Sequence, residues 1–329
     1  MKEEFPIFQR LINGNKLVYL DNAATTQKPG CVIDAMSNYY SSSNSNVHRA
    51  VHTLAGEATE GYEKCRKLLK SRFNANYAIL TSGTTEAINL VSHAWGEHNM
   101  SQGDVVVLTE MEHHSDIVPW QMLAQKKGIE LRYVPVEDGE LDMDAFDVAL
   151  DGAKLVCVVH TSNVLGIRNP VEQIISKSHK IGAKVLLDAA QAVPHEVIDF
   201  QALGADFMAF SAHKMCGPTG IGALLVSDEA FAEMQPFMGG GDMIETVTLK
   251  GSTYQSNEHK FEAGTPRIAE GFGWAAALEW MEDIDLEFHH GRLLKIANKV
   301  STELQNRGIT VYSSLQPGDA AVVSFTHPT

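Results

Sequence analysis

An aspartate and a lysine at the ends of two apolar runs are the residues of this sequence best suited to joint chemistry. Val185–Leu187 is a short apolar stretch that stops at Asp188, and Phe207–Phe210 is a second, running into Ser211, Ala212, His213 and Lys214. Ligands of open α/β sheets sit at the carboxyl ends of strands. A carboxylate closing one strand and a lysine just past the next therefore face a common crevice. One cofactor needs both groups: pyridoxal phosphate takes a lysine as Schiff base and an aspartate that keeps its pyridine nitrogen protonated, so that the ring withdraws electrons. The bland alternative is an aspartate ending a buried strand and a solvated loop lysine. This stretch alone does not choose between them.

Other loops offer weaker hints. SGTTEAINL (Ser82–Leu90) follows the strand-like Ala78–Thr81 and opens a helix, with Gly83 for a tight turn and Thr84 and Thr85 at its start. Unpaired N–H groups there suit a phosphate, although an ordinary helix cap reads the same way. EMEHHSD (Glu110–Asp116) follows the apolar Val105–Thr109; its His113 either stacks on a flat ring and moves protons or is one of a surface pair. Asn163 lies in TSNVLG after the run Lys154–His160. DNAATTQKP (Asp21–Pro29) reads as a polar loop whose small residues let backbone approach a ligand. His48 and His52 stand four apart, but the metalloprotease pattern needs Glu after the first His and Arg49 is there, so no metal site is assigned. Neither a Walker loop nor a G-x-G-x-x-G fingerprint occurs, which disfavours a nucleotide.

The elements that must position these residues alternate. A helix over Phe5–Ile12 ending at Asn13-Gly14 and a strand over Lys16–Leu20 come first. An amphipathic helix over Thr59–Phe73 turns Tyr62, Cys65, Arg66 and Leu69 inward. Strand and helix then alternate with short links through Ile181, which means a mainly parallel sheet covered on both faces. After the strand Ile221–Val226, Gly239–Lys260 reads as a loop. A long helix follows with Ile268, Phe272, Ala276 and Trp280 on its apolar face, then a second over Leu293–Leu304 and strand-like Thr310–Tyr312 and Ala320–Phe325. These last elements begin a small α+β domain.

Composition sets outer bounds. The 329 residues carry a formal charge of −15, which argues against nucleic acid or an anionic membrane as partner. No apolar run approaches the ~18 residues of a transmembrane helix. The N-terminus has neither a signal core nor a transit-peptide pattern, so a cytoplasmic location is expected. The four cysteines, Cys31, Cys65, Cys157 and Cys216, have neither metal-ligand spacing nor the density of a disulfide framework.

Taken together and in this order, YLDNAATTQKP, SGTTEAINLV, EHHSDIVPWQ, HTSNVLG, LLDAAQAVPH, SAHKMCGPTGIG, GGGDMI and FEAGTPR closely resemble the group II cysteine desulfurases of the SUF type. Those are pyridoxal-phosphate enzymes of the class V aminotransferase fold. The resemblance implies a type I PLP-dependent transferase fold: a mainly parallel seven-stranded sheet covered by helices, with a partial small α+β domain. It implies a large domain over 16–281 and a small one from 1–15 plus 282–329. By the same resemblance Lys214 is the Schiff-base and proton-moving lysine, Asp188 the partner of the pyridine nitrogen, and Gln191 the donor to the phenolic oxygen. His113 stacks on the ring, Thr84, Thr85, Ser211 and His213 hold the phosphate, and Asn163 lies near the substrate carboxylate and ring oxygen. Thr265 reaches the phosphate of the other subunit, which implies a homodimer. The region of His48 and His52 resembles an active-site entrance.

The activity implied is conversion of L-cysteine to L-alanine, with sulfur passed as persulfide toward iron–sulfur cluster assembly and a sulfur acceptor left unidentified. One departure qualifies it. The R-x-G-x-x-C segment that carries the family's nucleophilic cysteine, and its carboxylate-binding arginine, do not occur in these residues. None of the four cysteines matches that position; Cys216 sits inside the lysine motif. The sequence is expected to hold the cofactor half of the site. A selenocysteine lyase, another class V carbon–sulfur lyase, or a cofactor-binding remnant without activity are the other readings.

Overall fold

Val105–Thr109 and Lys184–Asp188 are short and rich in β-branched and leucine residues, a pattern that suits strands buried on both faces. The computed structural model describes residues 2–48 and 51–327, so Arg49, which breaks the metalloprotease spacing, lies outside the described residues. Seven strands form the main sheet: β1 (Tyr77–Thr81), β2 (Val105–Thr109), β3 (Glu130–Val134), β4 (Ala153–Val159), β5 (Lys184–Asp188), β6 (Phe207–Ser211) and β7 (Gly222–Val226). Their order is β1-β7-β6-β5-β4-β2-β3. Only β7 runs antiparallel to its neighbours; the other pairings are parallel. The expected sheet is the observed one.

Side chains alternate across this sheet, and each face has its own core. Val107, Val156, Val158, Val185, Leu187, Met208 and Phe210 point to one face, where they meet α1 (Gly30–Asn38), α2 (Thr53–Arg72), α5 (Met143–Ala149), α6 (Val171–Lys180) and α7 (Ile268–Glu282). Val106, Leu108, Leu155, Leu186, Phe207 and Leu224 point to the other, under α3 (Thr84–Leu90) and α4 (Val118–Lys127). Helices α2 and α7 touch closely: a Cβ on Gly61 would lie 2.0 Å from Phe272, and one on Gly271 would lie 2.6 Å from Tyr62. Ile268 is buried as expected, but the rest of the buried face of α7 differs from the expected one. Trp274, Ala277, Leu278 and Met281 are its buried side, and Phe272, Ala276 and Trp280 are only partly buried.

Other differences sit at the ends of the chain and in one loop. Phe5–Ile12 is not one helix: a 3-10 turn covers Pro6–Gln9, and Leu11–Ile12 pairs with Asn15–Lys16 in a hairpin. Asn13 and Gly14, both at positive φ, form its turn, which suits a two-residue hairpin better than a helix end. Val18–Leu20 carries no strand. Gly239–Lys260 contains a hairpin, Ile244–Thr248 with Gly251–Tyr254, whose alternation is hidden because nearly all its residues are exposed. The last helix, α8 (Leu286–Asn306), starts earlier than expected because Asp285 caps it by accepting from Phe288 N. Beyond it, among the described residues, only Thr310–Val311 and Phe325–Thr326 pair.

Strand register fixes what meets at the site. Asp188 is level with Val159 on one side and Ala209 on the other. Because β7 is reversed, its first residue Gly222 lies between the last residues of two neighbours, Thr81 and Ser211.

Candidate active site

Lys214 ends a 3-10 turn, Ala212–Lys214, that follows β6 directly. The turn is clamped from outside. The His213 carbonyl accepts from Thr26 N at 2.9 Å, Thr26 Oγ1 at 3.0 Å, Lys28 Nζ at 3.0 Å and Thr25 Oγ1 at 3.2 Å. Thr26 Oγ1 also accepts from Cys216 N at 2.9 Å. The polar loop Asp21–Pro29 is therefore the part that holds the lysine turn in place, a role its composition did not announce. Burial lowers the Lys28 ammonium to about 8.

Three titratable groups lie within electrostatic reach of one another. Burial raises the Asp188 carboxyl above its ordinary value; the Ala190 N–H at 2.9 Å and the charges of Lys214 and His113 oppose that rise. Burial lowers Lys214, and Asp188 pulls it back up. Burial also lowers His113, again opposed by Asp188. An ammonium beside a buried carboxyl with a lowered pKa is an amine that gives up its proton readily. His113 Nδ1 accepts from Ser115 N at 3.1 Å, which puts the proton of the neutral ring on Nε2.

Thr84 and Ser211 come together at the other side of the turn. Ser211 Oγ lies 2.6 Å from Thr84 Oγ1 and accepts from Thr84 N at 2.7 Å. Gly83 precedes them at φ 153°, and a Cβ on Gly222 would lie 2.5 Å from its Cα. Two glycines thus let strand end and helix start approach to backbone contact, leaving a small cradle lined by hydroxyls and the first turn of α3. His213 is half-buried, with its pKa lowered by burial and by Lys214 and Lys28.

The remaining candidates are placed as follows. Gln191 is buried after β5, and its Nε2 donates to Ala23 O at 2.7 Å. Asn163 is half-buried in the turn after β4, and Thr85 and Thr265 are exposed. His48 and His52 do not face each other. His52 caps α2 by accepting from Ala55 N, and His48 Nε2 lies 3.2 Å from Glu63 Oε1. His259 joins that pair, at 3.8 Å from the same oxygen, and Arg66 occupies both Glu63 oxygens.

Arg66 is the residue that sequence reasoning undervalued. It is buried on α2, donates to Ala78 O at 2.7 Å, and forms a two-point pair with Glu262 at 2.6 and 2.8 Å. Glu262 also accepts from Leu80 N at 2.7 Å. The network ties α2 and β1 to FEAGTPR, and the buried position of an arginine on an otherwise apolar helix face was its only signal.

A buried acid and a lysine at adjacent strand ends, with a hydroxyl-lined cradle that a Cβ would fill, fit pyridoxal phosphate: a ring against Asp188 and His113 and a phosphate at Thr84 and Ser211. Comparison with known proteins agrees with this architecture. Residues 18–329 match the aminotransferase class-V family, and the chain belongs to it. Within that family it belongs with the cysteine desulfurases. A probable cysteine desulfurase of Streptomyces coelicolor is 45% identical over 339 residues, 99% of this chain and 81% of that one. The cysteine desulfurase of Haloferax volcanii is 43% identical with the same coverage. The apo structure of the cysteine desulfurase from Thermococcus onnurineus superposes with a TM-score of 0.92 at 38% identity, covering 99% of this chain and 81% of that chain.

Proposed function

We propose that this protein is a pyridoxal-phosphate-dependent cysteine desulfurase of the SUF type. That reaction takes sulfur from L-cysteine, leaves L-alanine, and supplies the sulfur as persulfide for iron–sulfur cluster assembly in the cytoplasm; these 329 residues hold its cofactor half. The observation that carries the reading is the placement of buried Asp188 at the end of β5 and of Lys214 in the turn that directly follows the neighbouring strand β6. When bound, pyridoxal phosphate supplies an electron-withdrawing ring that stabilises negative charge at the substrate α-carbon.

The residues divide the remaining work. Asp188 would hold the ring nitrogen protonated, His113 would cover the ring face, and Gln191 and Asn163 would serve the ring oxygen and the substrate carboxylate. Thr84, Thr85, Ser211 and His213 hold the phosphate. Lys214 would hold the cofactor and, as a free amine, would take and return the proton at the substrate α-carbon. Its lowered pKa favours the free amine that this requires. The sulfur step needs a cysteine thiolate that attacks the substrate sulfur. The carbon–sulfur bond breaks, the new sulfur–sulfur bond leaves a persulfide, and a proton completes L-alanine.

We assign 16–281 to a large cofactor-holding domain and 1–15 plus 282–329 to a small one. The break between α7 and α8 supports this, as does the shallow burial of α8, where only Ala297 and Ser301 are buried. A homodimer is part of the reading. Thr265 is exposed, free to reach another subunit, and Leu20, Val247 and Leu249 stand in solvent as an interface would require. No helix among the described residues is long and apolar enough to cross a membrane.

The test is direct. Purified protein with added pyridoxal phosphate turns yellow, and borohydride followed by peptide mapping places the cofactor on the peptide containing Lys214. A colourless protein that takes up no cofactor, or label on another lysine, refutes the assignment.

A further inference from the structure

Beneath the wall of the site lie two buried acids that this chemistry does not use. Glu112 follows β2, and Asp116 stands one turn further on, as the last residue of the 3-10 turn His114–Asp116. Asp116 is wholly buried and Glu112 nearly so. One oxygen of each is accounted for. Glu112 Oε1 accepts from Thr109 Oγ1 at 2.6 Å and Val159 N at 2.9 Å, and Asp116 Oδ1 accepts from Trp120 Nε1 at 3.0 Å. The second oxygens, Glu112 Oε2 and Asp116 Oδ2, are buried and find no donor among the described residues.

Two buried oxygens without donors are costly, and two adjacent carboxylates in a protein interior do not both ionise. A single proton removes both penalties, because the O–H of one acid donates to the free oxygen of the other. We propose that Glu112 and Asp116 hold one proton between them at neutral pH and so present a single negative charge behind Asp188. Burial raises both carboxyls, Glu112 to about 8; the Glu112 charge raises Asp116 further, while the hydrogen bond from Asp116 holds Glu112 back. The titratable groups that face the pair are Asp188, whose charge is felt by both acids, and Cys157 of β4. Burial, with these two acids added, pushes the Cys157 thiol well above its ordinary value, so it stays neutral. The charges of His113 and Lys214 also act on Asp188. One fixed negative charge behind Asp188 strengthens the hold of the site on a proton at the cofactor ring. That last link rests on the proposed cofactor; the proton sharing does not.

The experiment has two arms. Infrared difference spectra of cofactor-free protein compare wild type with Glu112→Gln and Asp116→Asn at neutral pH. Each amide keeps the shape and donates where the shared proton was, so either variant is expected to lose one protonated-carboxyl carbonyl band. A band that is unchanged in both variants overturns the proposal. In protein loaded with pyridoxal phosphate, each single variant keeps one negative charge and the wild-type pH midpoint of the visible absorption. The double variant loses that charge, and its midpoint falls. Single variants that shift as far as the double one, or a double variant that does not shift, overturn the role behind Asp188. Failure to bind cofactor at all would refute the functional reading and leave the infrared arm to decide the shared proton.

Discussion

His160 is the last residue before the turn that carries Asn163, and its backbone N–H donates to Asp188 O at 2.8 Å. Burial, with the charge of Arg168 added, holds its imidazole down to about 4 against an ordinary 6.5. Between those values the unfolded chain binds a proton there and the folded one does not, so stability rises with pH through this window and is lost as pH falls from 6.5 toward 4. For His160 the full difference is worth about 3 kcal/mol. Urea unfolding measured stepwise from pH 7 to 4 is expected to show this fall, and His160→Gln is expected to flatten it. His195, held down to about 4 by burial and His290, adds a slope of the same sign. At this scale Asp188 and Lys214 were readable because a charged side chain ending an apolar run is conspicuous. Arg66 and Glu262 were not, because the pair is 196 positions apart and only the fold brings them together.

The elements of the sheet were legible from their apolar runs, since strands buried on both faces leave no polar alternation to misread. The hairpin Ile244–Tyr254 and the hairpin Leu11–Lys16 were missed for the opposite reason: exposed strands carry no burial signal, and their pairing depends on turn geometry. Gly222 joins element geometry to the site. A Cβ there would fall 2.5 Å from Gly83 Cα and 2.6 Å from Phe210 O, both backbone atoms that cannot rotate away. Gly222→Ala is expected to cost about 1–3 kcal/mol of stability, the usual range for an overpacked core. It should also weaken cofactor binding, because the cradle at Thr84 and Ser211 must open; equilibrium unfolding and cofactor titration read the two effects. At the Arg66 network the expected loss is larger. Arg66→Met strands the buried Glu262 without its arginine, and breaking a buried pair costs about 3–5 kcal/mol. An Arg66→Met protein as stable as wild type would remove the network from the account of how FEAGTPR is held.

For the whole molecule, the proposed dimer and the sulfur step are the parts to be tested. Light scattering of the loaded protein is expected to give twice the chain mass. Thr265→Ala should weaken cofactor binding by about 1.5–3 kcal/mol, the worth of one hydrogen bond to a charged group. A loaded monomer, or a Thr265→Ala protein that binds cofactor as wild type does, counts against a shared site.

The sulfur step depends on a thiolate set against the substrate sulfur, and placement of that kind supplies roughly 7–11 kcal/mol of a barrier. Cys65 and Cys157 are buried in the core, and burial pushes both thiols well up. Burial also raises Cys31 and Cys216, although Thr26 and Lys28 pull Cys216 back. Cys216 comes nearest to Lys214 in sequence, but its backbone N–H is bound to Thr26 and its φ of 61° fixes it within the clamp. None of the four is a free thiolate poised over the site. The 329 residues are therefore expected to bind pyridoxal phosphate and release alanine from L-cysteine more slowly, by roughly a hundred-thousandfold or more, than a cysteine desulfurase with its nucleophile. L-selenocysteine, whose selenium leaves more easily, should lose less. The assay is alanine release from each substrate with reductant present, for the protein and for its Cys31→Ser, Cys65→Ser, Cys157→Ser and Cys216→Ser variants. Fast release from L-cysteine that disappears in one variant would make that cysteine the nucleophile and overturn this assignment of roles.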